Sequence, residues 1–384
     1  ILPLGVRDFG ISTFVKAEKL PLHRKPDPAP RVIQPRDPRY HVAYGLFVKP
    51  MEKLIYKSID KVFGERTVMK GLNAVQVGCA IRDKWRSFKD PVCVGLDAHR
   101  FDQHVSNATM KWVQMQLVRF VPVAYRQQFR KLFDVKFDTH GRIRCPNGYA
   151  TYRVDYGLCS GDMDTALIGC LVMCAMLYSY LHSKGIKAKV VDMGDDSCVI
   201  MERQDYHWFV LGLQEWFGLM GFSMKTEPPV YILEQIEFCQ CRPVNVCDDT
   251  YMMVRNFPNA WTKDVVTLLP IKNESIYDRW LSTISDGGLA WMGGVPIYDQ
   301  FYRSIDRGKQ LVDHPVLDDR SSVYWSKGLD RRHLTILPEC RMSFYFAFGI
   351  TPDEQIAIEN SFVISPYQPA ALRADNCGFE FYHG

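Results

Sequence analysis

Residues 190–203 read VVDMGDDSCVIMER, two apolar runs flanking a glycine and two adjacent aspartates, Asp195 and Asp196. Gly-Asp is common turn chemistry, so the stretch reads as two apolar strands joined by a hairpin. Turn propensity does not account for two like charges at the tip, each raising the cost of ionising the other. About a hundred residues earlier, DPVCVGLDAHRFD (90–102) reads as a short buried strand ending in Asp97, with Asp102 five positions on. If both strands belong to one sheet, Asp97 and Asp195 converge with few cations to neutralise them. Such a set suits Mg²⁺, which takes one or two carboxylates and fills its shell with water and phosphate oxygens. Two such ions about 3.5–4 Å apart stabilise both oxygens of an in-line phosphoryl displacement.

The surrounding composition is globular. The 384 residues are 47% hydrophobic and 23% charged, which excludes wholesale disorder and leaves length for two or three subdomains. A net charge of +4 is too small to name a partner, but its distribution is uneven. Residues 1–70 hold 14 Lys and Arg against 7 Asp and Glu, so the remainder leans acidic. A basic front end fits a polyanion channel feeding a carboxylate site; a solvated face accounts for the same charge equally well. The 12 cysteines include no Cys-x-x-Cys pair, and those in apolar runs (Cys93, Cys170, Cys174, Cys198) read as reduced core thiols, with zinc not expected at Cys239, Cys241 and Cys247. A reducing, cytosolic compartment follows as an expectation. No signal peptide is visible, and a chain starting at Ile1 reads as a fragment or processed product. ALIGCLVMCAMLYSYL (166–181) falls short of a membrane span and reads as a buried helix.

Along the chain, KPDPAPRVIQPRDPRY (25–40) must be extended or looped. Pro50 opens a helix that Gly64 closes, and residues 107–134 are mainly helical. VKFDTHGRIRC (135–145) reads as a hairpin with Gly141 in its turn, and QDYHWFVLGLQEWFGLMG (204–221) as one amphipathic helix. VYILEQIEFCQ gives two short strands, and from about Thr250 the pattern is mostly helical. The class is α+β with a helical appendage.

Further chemistry flanks the aspartates. CSGDMDTALIGC sets Ser160-Gly161 just before the long helix, with Thr165 one turn in; small residues there let backbone approach a nucleotide closely. Lys16, Lys19, Arg24, Lys25, Arg31 and Arg36 supply the cations that a nucleoside triphosphate and its pyrophosphate need. Lys225, in GFSMKTEPP, is placed to donate a proton to a leaving group, or is a surface lysine in a turn.

KPDPAPRVIQPRDPRY, GLDAHRFDQHVS, SGDMDTAL, MGDD and EPPVYILEQIEFCQCRPV, in that order, resemble the successive motifs of a viral RNA-dependent RNA polymerase. The resemblance is strongest to the tombusvirus group, more distantly to flavivirus-like positive-strand RNA viruses, and covers about Lys16 to Val246; MMVRNFPNAWTKD is similar to the thumb of the same group. It implies a right-hand polymerase fold: fingers at 1–90, with a basic loop for incoming nucleotides; palm, with an antiparallel sheet, at 91–106; a fingers insertion at 107–157; palm again at 158–249; and a helical thumb at 250–384. It implies that Asp97, Asp195 and Asp196 are catalytic and bind Mg²⁺, with Mn²⁺ able to substitute, and that Lys225 is the general acid. Asp102, Ser160, Gly161 and Thr165 would address the ribose and base pair of the incoming nucleotide. Lys16, Lys19, Lys25 and Arg31 would face its triphosphate, and Arg24 and Arg36 the RNA. The loop FCQCRPV would support the priming end of the nascent strand. Implied partners are single-stranded RNA template, nascent RNA, nucleoside triphosphates and viral or host co-replicase proteins. Implied location is the host cytoplasm, in membrane-associated replication complexes, with membrane contact made only by segments outside this chain.

The chain departs from the family pattern where an Asn that reads the 2′-hydroxyl is usual: position 169 is Gly, and Asp164 precedes Thr165 where relatives carry Asn. Two other readings are therefore weighed. One is an RNA-binding module that has lost activity. The other is a reverse transcriptase, against which stand Met193 two before the paired aspartates and Asp102 in place of a bulky sugar gate.

Overall fold

In the computed structural model, residues 3–16, 29–145, 147–155, 157–257, 263–267, 271, 273–309 and 326–362 are described. The chain begins with strand β1 (Ile11–Val15) and strand β2 (Val32–Ile33), then a long helix α1 (Pro38–Phe63) and α2 (Ala74–Arg86). Strand β3 (Pro91–Ala98) is followed by helices α3 (Phe101–His104), α4 (Asn107–Leu117) and α5 (Arg126–Asp134). Strands β4 (Thr139–Cys145) and β5 (Gly148–Val154) precede helix α6 (Thr165–Lys184), and the hairpin β6 (Ala188–Asp192) and β7 (Asp196–Glu202) comes next. Helices α7 (Tyr206–Val210) and α8 (Leu213–Leu219) lead to β8 (Met224–Thr226) and the hairpin β9 (Cys241–Cys247) and β10 (Thr250–Arg255). Helices α9 (Glu274–Met292), α10 (Tyr298–Ile305), α11 (Pro338–Phe348) and α12 (Pro352–Ser361) complete the described elements.

The strands form three groups: a sheet ordered β2-β1-β4-β5, a central antiparallel sheet ordered β6-β7-β3-β8, and the β9–β10 hairpin. The α+β class is therefore observed. The central sheet divides two cores, because side chains alternate across a strand. Val92, Val94 and Leu96 of β3, with Val199 and Met201 of β7, pack on one side with α1, α4 and α6. Cys93, Cys198 and Ile200 face the other side, toward α2, β9, β10 and the C-terminal helices. Two buried faces explain why these strands read as nearly continuous apolar runs.

Helix α6 is apolar all round because it is buried, with Gly185 in the left-handed conformation ending it. It is 20 residues long and passes the length and composition test for a membrane span, yet most of it lies inside the protein. Every described cysteine is a free thiol.

Four local expectations are corrected. Helix α1 starts at Pro38, capped by Asp37, and runs straight through Pro50; Pro50 and Leu46 are exposed, so the carbonyl that loses its amide partner meets water. Gly141 lies inside β4, not in a turn: a Cβ there would enter the Tyr152 ring of the neighbouring strand. The 204–221 segment is two helices broken at Gly212, which adopts φ +73°. In VYILEQIEFCQ a 3-10 turn spans Leu233–Gln235, and the strands come later as β9 and β10. That hairpin straddles position 249/250, the expected palm–thumb limit.

Candidate active site

The register of the central sheet assembles the site. Asp97 of β3 stands opposite Asp196 of β7 on one side and Lys225 of β8 on the other. Directly opposed residues in antiparallel strands share a face, so two carboxylates and an ammonium lie in one row. Asp195 occupies the β6–β7 turn, exposed, beside Gly194 at φ +109°. The turn is closed by the Met193 N–H donating to the Asp196 carbonyl at 3.0 Å. Asp102 follows on α3; burial and then the nearby Asp195 charge push its carboxyl up to about 6.

The glycine-rich loop joins this row. The Leu158 N–H donates to the Asp102 carbonyl at 2.9 Å, and the Gln34 N–H to the Ser160 carbonyl at 2.7 Å. Gly161 adopts φ +100°, and a Cβ there would come within 2.9 Å of the Ile33 side chain. The loop 158–161 thus touches Asp102 at Leu158 and the β2 segment at Ser160 and Gly161. The Lys16 N–H donates to the Arg31 carbonyl at 2.9 Å, setting these two exposed basic residues side by side. The Thr165 hydroxyl donates to the Cys159 carbonyl at 2.7 Å, tying the first residue of α6 back to the loop. Lys19, Arg24 and Lys25 lie outside the described residues.

Arg36 is not placed to contact RNA. It is 3% exposed, and its guanidinium donates to Asp162 at 3.1 Å, to the Phe9 carbonyl at 2.7 Å and to the Thr139 hydroxyl at 2.9 Å. Lys136 is buried in the same cluster, paired with Asp162 and at 2.9 Å from Asp164. Burial disfavours the Lys136 charge, but the two aspartates outweigh it and hold the ammonium more firmly than usual. Asp164 also accepts from the Tyr44 hydroxyl at 2.7 Å and is fully buried. Its carboxylate is engaged within this cluster by the Tyr44 hydroxyl and the Lys136 ammonium. Gly169 backs the turn: a Cβ there would sit 3.6 Å from Gly194 Cα and 3.9 Å from the Phe101 ring. The glycine lets α6 run directly under the aspartate turn.

Several residues escape the sequence reading. Asp192, fully buried at the end of β6, accepts from the Gly194 N–H at 3.2 Å and lies beside the Cys170 and Cys174 thiols. Burial pushes its carboxyl up to about 8. Glu227 continues β8, its N–H donating to the Gly95 carbonyl at 2.9 Å, so its carboxylate lies over Gly95, one pleat from Asp97. Burial, Glu237 and Asp196 raise its proton affinity. The period-2 step from Lys225 to Glu227 was the available signal. The Cys239 N–H, in the FCQCRPV loop, donates to Asp196 at 2.9 Å and ties that loop to the site; burial still raises the Asp196 carboxyl above its ordinary value.

This order of carboxylates, turn, loop and basic strand can now be set beside known proteins. The family described as viral RNA dependent RNA polymerase matches residues 1–366. The chain belongs to this family. It is 39% identical over 367 residues to the RNA-directed RNA polymerase of Tobacco necrosis virus (strain D), covering 94% of this chain and 50% of that protein. It is 40% identical over 364 residues to that of Pothos latent virus (isolate Pigeonpea/India), covering 94% and 47%. It is 38% identical over 361 residues to that of Tomato bushy stunt virus (strain Cherry), covering 94% and 44%. The chain spans about half the length of the curated relatives it matches.

Viral RNA-dependent RNA polymerases depend on divalent metal. Among the described residues no group of three or more His, Cys, Asp or Glu forms a ready-made metal cage. The donor set nevertheless fits a hard divalent cation: hard carboxylate oxygens, with Asp102, Asp196 and Glu227 each holding protons more tightly than usual and Lys225 in the same row. Cations of the Mg²⁺ type need only one or two such ligands and complete their shell with water and substrate phosphates.

Proposed function

We propose that this chain is the catalytic part of an RNA-directed RNA polymerase that replicates a positive-strand RNA virus genome from nucleoside triphosphates. One observation carries the reading: Asp97 is flanked in register by Asp196 and Lys225, with Asp195 in the adjoining turn. Divalent ions, Mg²⁺ by preference, supply Lewis-acid stabilisation of the attacking and leaving oxygens when bound. Asp97 and Asp195 would hold them, with Asp196 steadied by the Cys239 N–H. The protein's contribution is positioning and charge: the 3′-hydroxyl of the growing strand attacks the α-phosphorus in line and pyrophosphate departs. Lys225, in the same row as Asp97, is set to protonate the leaving pyrophosphate. Lys16 and Arg31 face its charge, while Ser160, Gly161 and Thr165 line the nucleotide with Asp102.

In this reading the β2-β1-β4-β5 sheet with α1 and α5 belongs to the fingers, the central sheet and α6 form the palm, and the helices from α9 onward form the thumb. Template, nascent RNA and co-replicase proteins are its partners, in membrane-associated complexes of the host cytoplasm. The test is incorporation of labelled nucleotides on a short single-stranded RNA of known sequence with Mg²⁺. Products complementary to the template, absent with Asp195→Ala, support the reading. Absence of product from the wild-type chain with retained RNA binding supports the inactive binding module. Equal use of deoxyribonucleotides by the wild-type chain, reversed in Gly169→Asn, would support a sugar-selecting role for that position.

A further inference from the structure

Helix α1 carries a surface that the catalytic reading does not use. Its 26 residues span about 39 Å. The inner face is buried through Tyr40, Tyr44, Val48, Met51, Ile55 and Ile59. The outer face presents Lys49, Lys53, Lys57 and Lys61, each four residues from the next and therefore one above another. Beside this ladder stand three exposed aliphatics, Val42 at 59%, Leu46 at 64% and Leu54 at 52%. No exposed position of α1 is acidic. Its two acids are half-buried and engaged: Glu52 with Lys49 and the Tyr56 hydroxyl, Asp60 with Arg66 and the Thr67 N–H. Lys53, Lys57 and Lys61 form no ion pair among the described residues.

We propose that this face of α1 docks on an anionic lipid surface, so that the chain itself touches the membrane rather than relying only on segments outside it. Lysine stems lie along the helix while their ammonium groups reach headgroup phosphates, and the aliphatics between them enter the headgroup–acyl boundary. Charge complementarity alone also admits RNA, but the exposed face has no exposed aromatic on which bases stack, its one arginine, Arg39, is held by Asp8 and the Pro3 carbonyl, and RNA would leave the aliphatics in water. The inference stands on the helix and not on the catalytic site, so flotation and nucleotide incorporation report on it independently.

The experiment is flotation of the chain with vesicles of phosphatidylcholine alone and of phosphatidylcholine with 30% phosphatidylserine, at low and high salt. Binding to the anionic vesicles only, weakened by salt, is expected. Each lysine near such a surface is worth about fivefold in partitioning, so Lys53→Glu with Lys57→Glu should lower binding by at least about 20-fold. Leu46→Gln with Leu54→Gln, which keeps every charge, should lower it by a smaller factor that high salt does not abolish. Affinity for a 20-nucleotide single-stranded RNA is measured on the same proteins. Failure of the wild-type chain to float, or flotation unchanged by the charge reversal, overturns the proposal. A loss of RNA affinity with vesicle binding intact overturns it in favour of RNA.

Discussion

Asp192 and Asp195 are three positions apart and live in opposite surroundings, one fully buried at the end of β6 and the other exposed in the turn. The buried carboxyl is the proton-holding one, raised from 3.8 to about 8 by burial. Its neutral form is favoured in the folded protein, so the unfolded chain releases that proton first. The stability this group confers is full below about pH 4 and is lost as pH rises toward 8. Asp192→Asn retains an acceptor for the Gly194 N–H and cannot ionise. Urea unfolding at pH 5, 6.5 and 8 should therefore show a smaller fall in stability for the variant than for the wild-type chain. Arg36 supplies a second residue-scale test. Arg36→Met leaves Asp162 buried with one cation fewer, at a cost of about 3–5 kcal/mol. Chemical denaturation should register that loss, whereas a phosphate-contacting role would show chiefly in the salt dependence of RNA binding.

Glycines mark the places where elements cross too closely for a side chain, and α2 against β10 is one of them. A Cβ on Gly78 would lie 2.5 Å from the Tyr251 carbonyl oxygen, a backbone atom that cannot swing aside. Gly78→Ala should destabilise by about 1–3 kcal/mol, read as a lower urea midpoint at unchanged slope, despite the better helix propensity of alanine. The same physics decides what was legible in the sequence. β3 and the β6–β7 hairpin were readable because burial on both faces leaves apolar runs punctuated by glycine and aspartate. Gly141 was misread because its reason is a tyrosine ring on the partner strand, 11 positions away. Gly212 and Pro50 were misread in opposite senses. A positive φ broke one helix, and solvent exposure let the other continue. Asp97, Asp195, Asp196 and Lys225 could be named singly, but their shared row is a matter of register, which local pattern does not contain. The Cys239 N–H acts on an aspartate 43 positions away and carries no local signal, whereas Glu227 is legible only as the period-2 partner of Lys225 once β8 is known to be a strand.

At the scale of the whole molecule, the basic excess of the first 70 residues resolves into separate parts. Arg36 is buried in an ion cluster, Lys16 and Arg31 lie paired at the adjoining ends of β1 and β2, and Lys49 to Lys61 line the outside of α1. Among the described residues these groups sit in three different settings, so net charge alone is a poor guide to where a polyanion goes. The central claim is that this row, built by register, carries the chemistry. Single-turnover extension of a primed RNA template, with Mg²⁺ varied and RNA affinity measured in parallel, tests it for Asp97→Asn against the wild-type chain. A catalytic row lowers the rate by about 10³-fold in this variant at every Mg²⁺ concentration, with RNA affinity unchanged. A variant that extends the primer within about tenfold of the wild-type rate would contradict it.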